Sequence, residues 1–133
     1  MNKLLKISKI NLSYNTDNNL IKVLQDVSLE VDHKDTVSIV GESGSGKTSL
    51  IMLIGGLEKA TSGKIQFKEF EISNLNEDQI SEIRRKNIGI VFQSFYLIPN
   101  YTALENVSLT LEINRISNSE QKAKDMLLSL IHI

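Results

Sequence analysis

The apolar positions of this chain change period several times, and each change predicts an element. Leu5, Ile7 and Leu12 suggest an opening strand, and the polar run Asn15 to Asn19 turns it into a second strand over Ile21 to Val31. Thr36-Val37-Ser38-Ile39-Val40 is a short β-branched run that reads as a third strand. Ser49 to Ile54 has the composition of a helix start, and Thr61-Ser62-Gly63 turns the chain into the strand Lys64 to Phe67. Asn76 followed by Gln79, with Glu77 and Asp78 between them, signals a capped helix running to about Lys86. Ile88 to Phe92 reads as a buried strand. Thr102 with Glu105 and Ser117 with Glu120 each suggest a capping box for a further helix. In the last of these helices Ala123, Met126, Leu127, Leu130 and Ile131 share one face at helical spacing.

Composition narrows the class. The 133 residues are enough for one domain, 41% of them are hydrophobic, and no repeat, low-complexity tract or linker suggests an internal boundary. A net charge of −1 with Lys and Glu interspersed makes no basic stripe, so nucleic acid is not an expected partner. There is no Cys, which excludes disulfides and thiolate metal sites and fits a reducing cytosol. The first ten residues mix Lys into their apolar positions, so they are neither a signal-peptide core nor a membrane span, and any membrane role is expected to run through a partner.

The candidate chemistry lies between the third predicted strand and the helix that follows it. Gly41-Glu42-Ser43-Gly44-Ser45-Gly46-Lys47-Thr48 matches the P-loop pattern G-x-x-x-x-G-K-[ST] in full, in the strand, loop, helix order that such a loop requires. Glycines let the backbone take positive φ and approach a ligand closely, so that successive N–H groups face a phosphate at the positive end of a helix. Lys47 adds a point charge for the β- and γ-phosphates, and the Thr48 hydroxyl is a hard oxygen donor suited to Mg²⁺. His33 sits in the polar turn Asp32 to Asp35, where a solvated side chain is the expectation.

A second segment, Asn87 to Pro99, gives the chain a family resemblance. With Gln93 after the strand-like run Ile88 to Phe92, it looks like the Q-loop of the ATP-binding subunits of ABC transporters. Val23 to Leu29, Leu53 to Leu57 and Thr102 to Val107 resemble the same family, most closely its lipoprotein-releasing and macrolide-exporter branch. The resemblance implies an α/β fold of the P-loop NTPase, ABC ATPase type, with an antiparallel β-subdomain packed on an incomplete parallel core sheet. On this pattern residues 1–133 form part of a nucleotide-binding domain. ATP and Mg²⁺ are the implied cofactors, bound by Gly41, Glu42, Ser43, Gly44, Ser45, Gly46, Lys47, Thr48 and the adjoining Ser49. Lys47 and Gln93 are assigned to the catalytic machinery, Gln93 sharing the Mg²⁺ with Thr48 or touching the attacking water. Tyr14 falls where the family carries an aromatic that stacks on adenine. The implied partners are a transmembrane subunit and, in the complete protein, a second copy, which places the protein on the cytoplasmic face of a membrane. Some of Phe95, Tyr96, Leu97 and Ile98 are then expected to receive the membrane subunit.

Departures from the family pattern qualify that picture. Relatives usually carry a glycine near Lys34, a proline near Ala60 and an Asp-Gly turn near Lys68-Glu69; all three differences fall in predicted turns. No L-S-G-G-Q signature, Walker B strand with its Asp and Glu, or switch His occurs in residues 1–133, and His132 is not to be taken for that histidine. The expectation is therefore the leading part of such a domain, without unaided hydrolysis, and with Thr36 to Val40 as an unpaired apolar edge. Two other readings remain open here. One is a truncated, non-hydrolysing remnant with weak nucleotide binding. The other is a small P-loop kinase, although about 35 residues precede the P-loop strand where such enzymes usually begin with it.

Overall fold

A computed structural model describes residues 3–17 and 19–131; His132 and the side chain of Ile131 lie outside the described residues. The described chain separates into two compact units, Met1–Gly89 and Ile90–Ile133. No linker or shift in composition marks that division in the sequence.

The first unit is built on a four-stranded antiparallel sheet in the order β2-β1-β3-β4, from β1 (Leu5–Asn15), β2 (Leu20–Val31), β3 (Ser62–Phe67) and β4 (Phe70–Glu71). Leu5, Ile7, Ile10 and Leu12 of β1 are all buried. Ile7 and Ile10, three residues apart, would face opposite sides of a regular strand. A register shift between them, with Lys9 in the left-handed region at φ 50°, inserts the extra residue that returns Ile10 to the core side. Strand β2 answers in kind: Asp26, also at φ 50°, separates Leu24, paired with Leu12, from Val27, paired with Ile10. Gly63 of β3 crosses this bulge so closely that a Cβ there would stand 2.3 Å from the Lys9 carbonyl oxygen, which is why that position has no side chain.

Helix α1 (Lys47–Ile54) lays Leu50 and Leu53 onto this sheet, completing a core with Leu24, Ile65, Phe67 and Ile72. Each such aliphatic side chain contributes about 1.5–3 kcal/mol on burial. Ala60 is half-buried against the same core. A short 3₁₀ turn, Ile72–Asn74, leads to α2 (Glu77–Asn87), whose predicted capping box is formed. Asn76 Oδ1 accepts from the Gln79 N–H at 2.9 Å, and Gln79 Oε1 accepts from the Asn76 N–H at 3.1 Å.

The second unit carries α3 (Ala103–Ile113) and α4 (Ser119–Ile131), packed on one another. The Thr102–Glu105 capping box of α3 is formed as expected. The box expected at Ser117 is not, because α4 begins at Ser119 and the residue before it is Asn118, at φ 56°. Asn tolerates the left-handed conformation better than most residues, and this bend delays the helix by one position. Among the described apolar side chains of α4, Ala123 is fully buried and Leu127 half-buried, whereas Met126 and Leu130 are exposed, so the inward face there is narrower than the apolar spacing suggested.

The two strands expected at Thr36 to Val40 and Ile88 to Phe92 are not strands: among the described residues neither segment pairs with another. Ile39 and Ile88 pack against the core of the first unit, but Val40 and Val91 are 85% and 99% exposed. A β-branched run becomes a strand only when neighbours accept its backbone hydrogen bonds, and the described ladders are all antiparallel and end at β2 and β4. The antiparallel subdomain is thus fully formed, and the parallel layer is not.

Candidate functional site

The loop Gly41 to Thr48 forms the junction between the irregular segment after β2 and the first turn of α1. Gly44 and Gly46 sit at φ 80° and 88°, a conformation that a Cβ would strain, and Gly46 occupies the N-cap position of α1 with no capping side chain. A Cβ on Gly46 would also come within 2.8 Å of Leu24 Cδ2 and 3.0 Å of the Val23 carbonyl oxygen, so the loop is pressed against β2 at that point. The Lys47 ammonium folds back over the loop, donating to the Gly41 carbonyl at 2.9 Å and the Glu42 carbonyl at 2.5 Å, with Ser45 Oγ at 3.4 Å. The Ser45 N–H donates to the Glu42 carbonyl at 3.2 Å. The result is a ring of backbone closed by a cation, set at the positive end of a helix whose first turn carries no acidic residue. Such an arrangement takes an anion with several oxygens.

Thr48 lies in the first turn of α1 with its side chain exposed, and its hydroxyl oxygen is the donor type that Mg²⁺ takes alongside phosphate oxygens. The residues present therefore fit a magnesium–polyphosphate group. Glu42 and Ser43 lie exposed on the loop, and Ser49 is half-buried behind it.

Tyr14 is brought to this site from the far end of β1. Its register partner on β2 is Ile21, and the loop between them is closed by Thr16, whose N–H and Oγ1 both donate to the Asn19 carbonyl. The Tyr14 hydroxyl donates to the Glu58 carboxylate, with Ser49 beside it. The Glu58 carboxylate, more than any other influence, raises the phenol above its ordinary value, since a proton shared with an anion is harder to lose. Tyr14 remains 42% exposed, leaving ring surface open beside the helix that leaves the P-loop. Nothing in the sequence pattern singles out Glu58; its role depends on a contact between residues 44 positions apart.

Gln93 belongs to the second unit, in a bend after Phe92, with its side chain exposed. Around it Phe95, Tyr96 and Leu97 are 89%, 74% and 64% exposed, and Phe92 meets Tyr96 edge-to-face with ring centres 5.1 Å apart. These four are surface residues rather than core. His33 is exposed in the turn after β2. Among the described residues no cluster of His, Cys, Asp and Glu has the form of a metal site, and no helix is long and apolar enough to cross a membrane.

A sequence model described as "ABC transporter" matches residues 24–131. The chain belongs to the ABC transporter family. Curated relatives agree. It is 37% identical over 114 residues to the lipoprotein-releasing system ATP-binding protein LolD of Desulfotalea psychrophila, covering 86% of this chain and 51% of that protein. It is 40% identical over 108 residues to the uncharacterized ABC transporter ATP-binding protein MJ0796 of Methanocaldococcus jannaschii, covering 81% of this chain and 46% of that one. The chain thus spans about half the length of these relatives. Among solved structures, dimeric MJ0796, described as a bacterial ABC transporter cassette, superimposes with a TM-score of 0.86 at 36% identity over 94% of this chain and 54% of that one. A second, the dimeric post-hydrolysis MJ0796 cassette bound to ADP and Pi, gives 0.84 at 35% identity over 91% and 54%. Membership of the ABC transporter family sets the small-kinase reading aside.

Proposed function

We propose that this chain is the phosphate-binding part of the ATP-binding subunit of an ABC transporter, holding Mg-ATP at Gly41 to Thr48. The observation that carries the proposal is the loop itself: two left-handed glycines, an uncapped helix start and a lysine ammonium closing the ring. Lys47 neutralises the β- and γ-phosphates, Thr48 ligates Mg²⁺, and Ser49 backs the loop. Tyr14 offers its open ring to the base. By the family resemblance, Gln93 is the residue that relays nucleotide state to a transmembrane partner received at Phe95 to Ile98. The assembled ATPase is a dimer of complete subunits, as the dimeric MJ0796 cassettes suggest by analogy. It would drive transport, or extraction of a substrate, from the cytoplasmic side of the membrane.

Calorimetric titration of the chain with Mg-ATP tests the first step. Saturable, Mg²⁺-dependent binding that Lys47→Ala abolishes is the expected result; binding unaffected by Lys47→Ala would sink the proposal. A remnant that binds nucleotide weakly is the second reading, favoured by the unpaired segments at 36–40 and 88–92. It is the correct one if the unsubstituted chain shows no saturable binding.

A further inference from the structure

The connector between α1 and β3 is laced to the end of β1. The Thr61 N–H donates to the Asn11 carbonyl at 2.9 Å, the Ser13 N–H donates to Thr61 Oγ1 at 2.9 Å, and Asn11 Nδ2 donates to Ser62 Oγ at 3.1 Å. At the outer end of this lacing stands the bond from the Tyr14 hydroxyl to the half-buried Glu58. Ser49, one residue beyond the P-loop, lies beside the same phenol. The ring of Tyr14 is therefore tied at its hydroxyl end by Glu58, in the connector that follows the helix starting at the phosphate loop. A phenol held only by its Cα–Cβ bond at a strand end samples several rotamers; one tied at the far end keeps one ring plane.

We propose that Glu58 is a positioning residue for nucleotide selectivity. It locks the Tyr14 ring at a set distance from the phosphate loop, so that the site prefers a nucleoside triphosphate, base included, over a bare polyphosphate. The proposal rests on the reading of Tyr14 as the base contact and of Gly41 to Thr48 as the phosphate site. Glu58 touches neither ligand part, and its effect passes through the orientation of Tyr14. The acceptor matters more than the charge, because the bond is donated by the phenol. Glu58→Gln keeps an acceptor oxygen at this position, whereas Glu58→Leu removes it.

The test is a pair of calorimetric titrations of the full chain, with Mg-ATP and with Mg-tripolyphosphate, on the unsubstituted protein, Glu58→Leu, Glu58→Gln, Tyr14→Ala and Lys47→Ala. Far-ultraviolet dichroism confirms that each variant is folded. Glu58→Leu is expected to weaken ATP roughly three- to tenfold, since stacking against an aromatic ring contributes on that scale or more, while leaving tripolyphosphate unchanged. Glu58→Gln restores most of the ATP affinity. A Glu58→Leu protein with an unaltered ratio of the two affinities overturns the proposal if Tyr14→Ala does lower that ratio. If Tyr14→Ala leaves the ratio unchanged, Tyr14 makes no base contact, and the proposal falls with that reading. If Lys47→Ala leaves tripolyphosphate binding intact, the phosphate site itself is misassigned. Equal weakening of both ligands by Glu58→Leu shows a merely structural role and also overturns it.

Discussion

Lys34 is the third residue of the turn Asp32-His33-Lys34-Asp35, closed by the Asp35 N–H to the Asp32 carbonyl at 3.3 Å, and its φ is 72°. Positive φ at the third position of such a turn favours glycine, in line with the family pattern expected there. Lys68, at φ 52°, lies in the turn between β3 and β4. A left-handed conformation costs a side-chain-bearing residue about 1–2 kcal/mol. Glycine returns part of that through its greater freedom when unfolded. Lys34→Gly is therefore expected to stabilise the chain by about 1 kcal/mol, measurable as a higher urea midpoint at unchanged slope. Lys68→Gly gains less, because it forfeits the 2.6 Å bond from Lys68 Nζ to Asn87 Oδ1. A lower midpoint for Lys34→Gly would mean that the turn conformation is something other than the one seen. At this scale the sequence was legible where chemistry is local: the glycines and lysine of the P-loop announce their backbone and charge by spacing alone. Glu58 was not legible, since nothing near it in the chain points to Tyr14.

Of the three caps signalled by residues three apart, two came out as read; the one expected at Ser117 gave way to the bend at Asn118. Both Asn76–Gln79 and Thr102–Glu105 form reciprocal caps, and the acidic first turn and basic last turn of α2 suit its dipole. Thr102→Ala is expected to destabilise the second unit by about 1 kcal/mol, read as a lower unfolding midpoint. No loss would show that Glu105 alone, held below its usual value by the Thr102 N–H it accepts from, suffices to start α3. On α2, Glu82 bonds Arg85 and Lys86, each at 2.7 Å, and these hydrogen bonds pull its carboxyl down from 4.5 to about 2. A carboxyl depressed on folding adds stability that is present above the unfolded value and is lost as pH falls through the folded one. The contribution of Glu82 should therefore fade between about pH 4.5 and 2. Glu82→Gln should flatten that part of the stability–pH curve, and an unchanged curve would show the bonds to be too solvated to count. Strands were legible where a partner strand is present, near or far: β1 and β2 form a hairpin, whereas β3 pairs with β1 across the chain, Leu5 opposite Phe67. Thr36 to Val40 and Ile88 to Phe92 carry the same β-branched composition, yet composition cannot supply a partner strand. The bulges at Lys9 and Asp26 were illegible for a related reason: each exists because the other strand bends with it.

For the molecule as a whole, the balance lies between a complete antiparallel core and apolar surface left open in each unit. Val37 and Val40 in the first unit, and Val91, Phe95, Tyr96 and Leu97 in the second, expose large side chains next to backbone that has no ladder. Such surface associates with whatever apolar edge it meets. The chain alone is accordingly expected to be marginally stable and to self-associate at micromolar concentration, seen as concentration-dependent sedimentation, with Val91→Lys or Phe95→Lys reducing it. A cooperative thermal transition from a well-behaved monomer would refute this. Nucleotide supplies an independent check on the native state, because a ligand that binds only the folded chain stabilises it in proportion to the logarithm of its excess. Mg-ATP at about a hundred times its dissociation constant contributes about 2.7 kcal/mol, which for a chain of this size raises the melting temperature by roughly 10 °C. The same excess should leave Lys47→Ala unmoved. If Mg-ATP shifts neither protein, the P-loop geometry persists without nucleotide affinity; if it shifts both equally, the nucleotide is held somewhere other than Gly41 to Thr48.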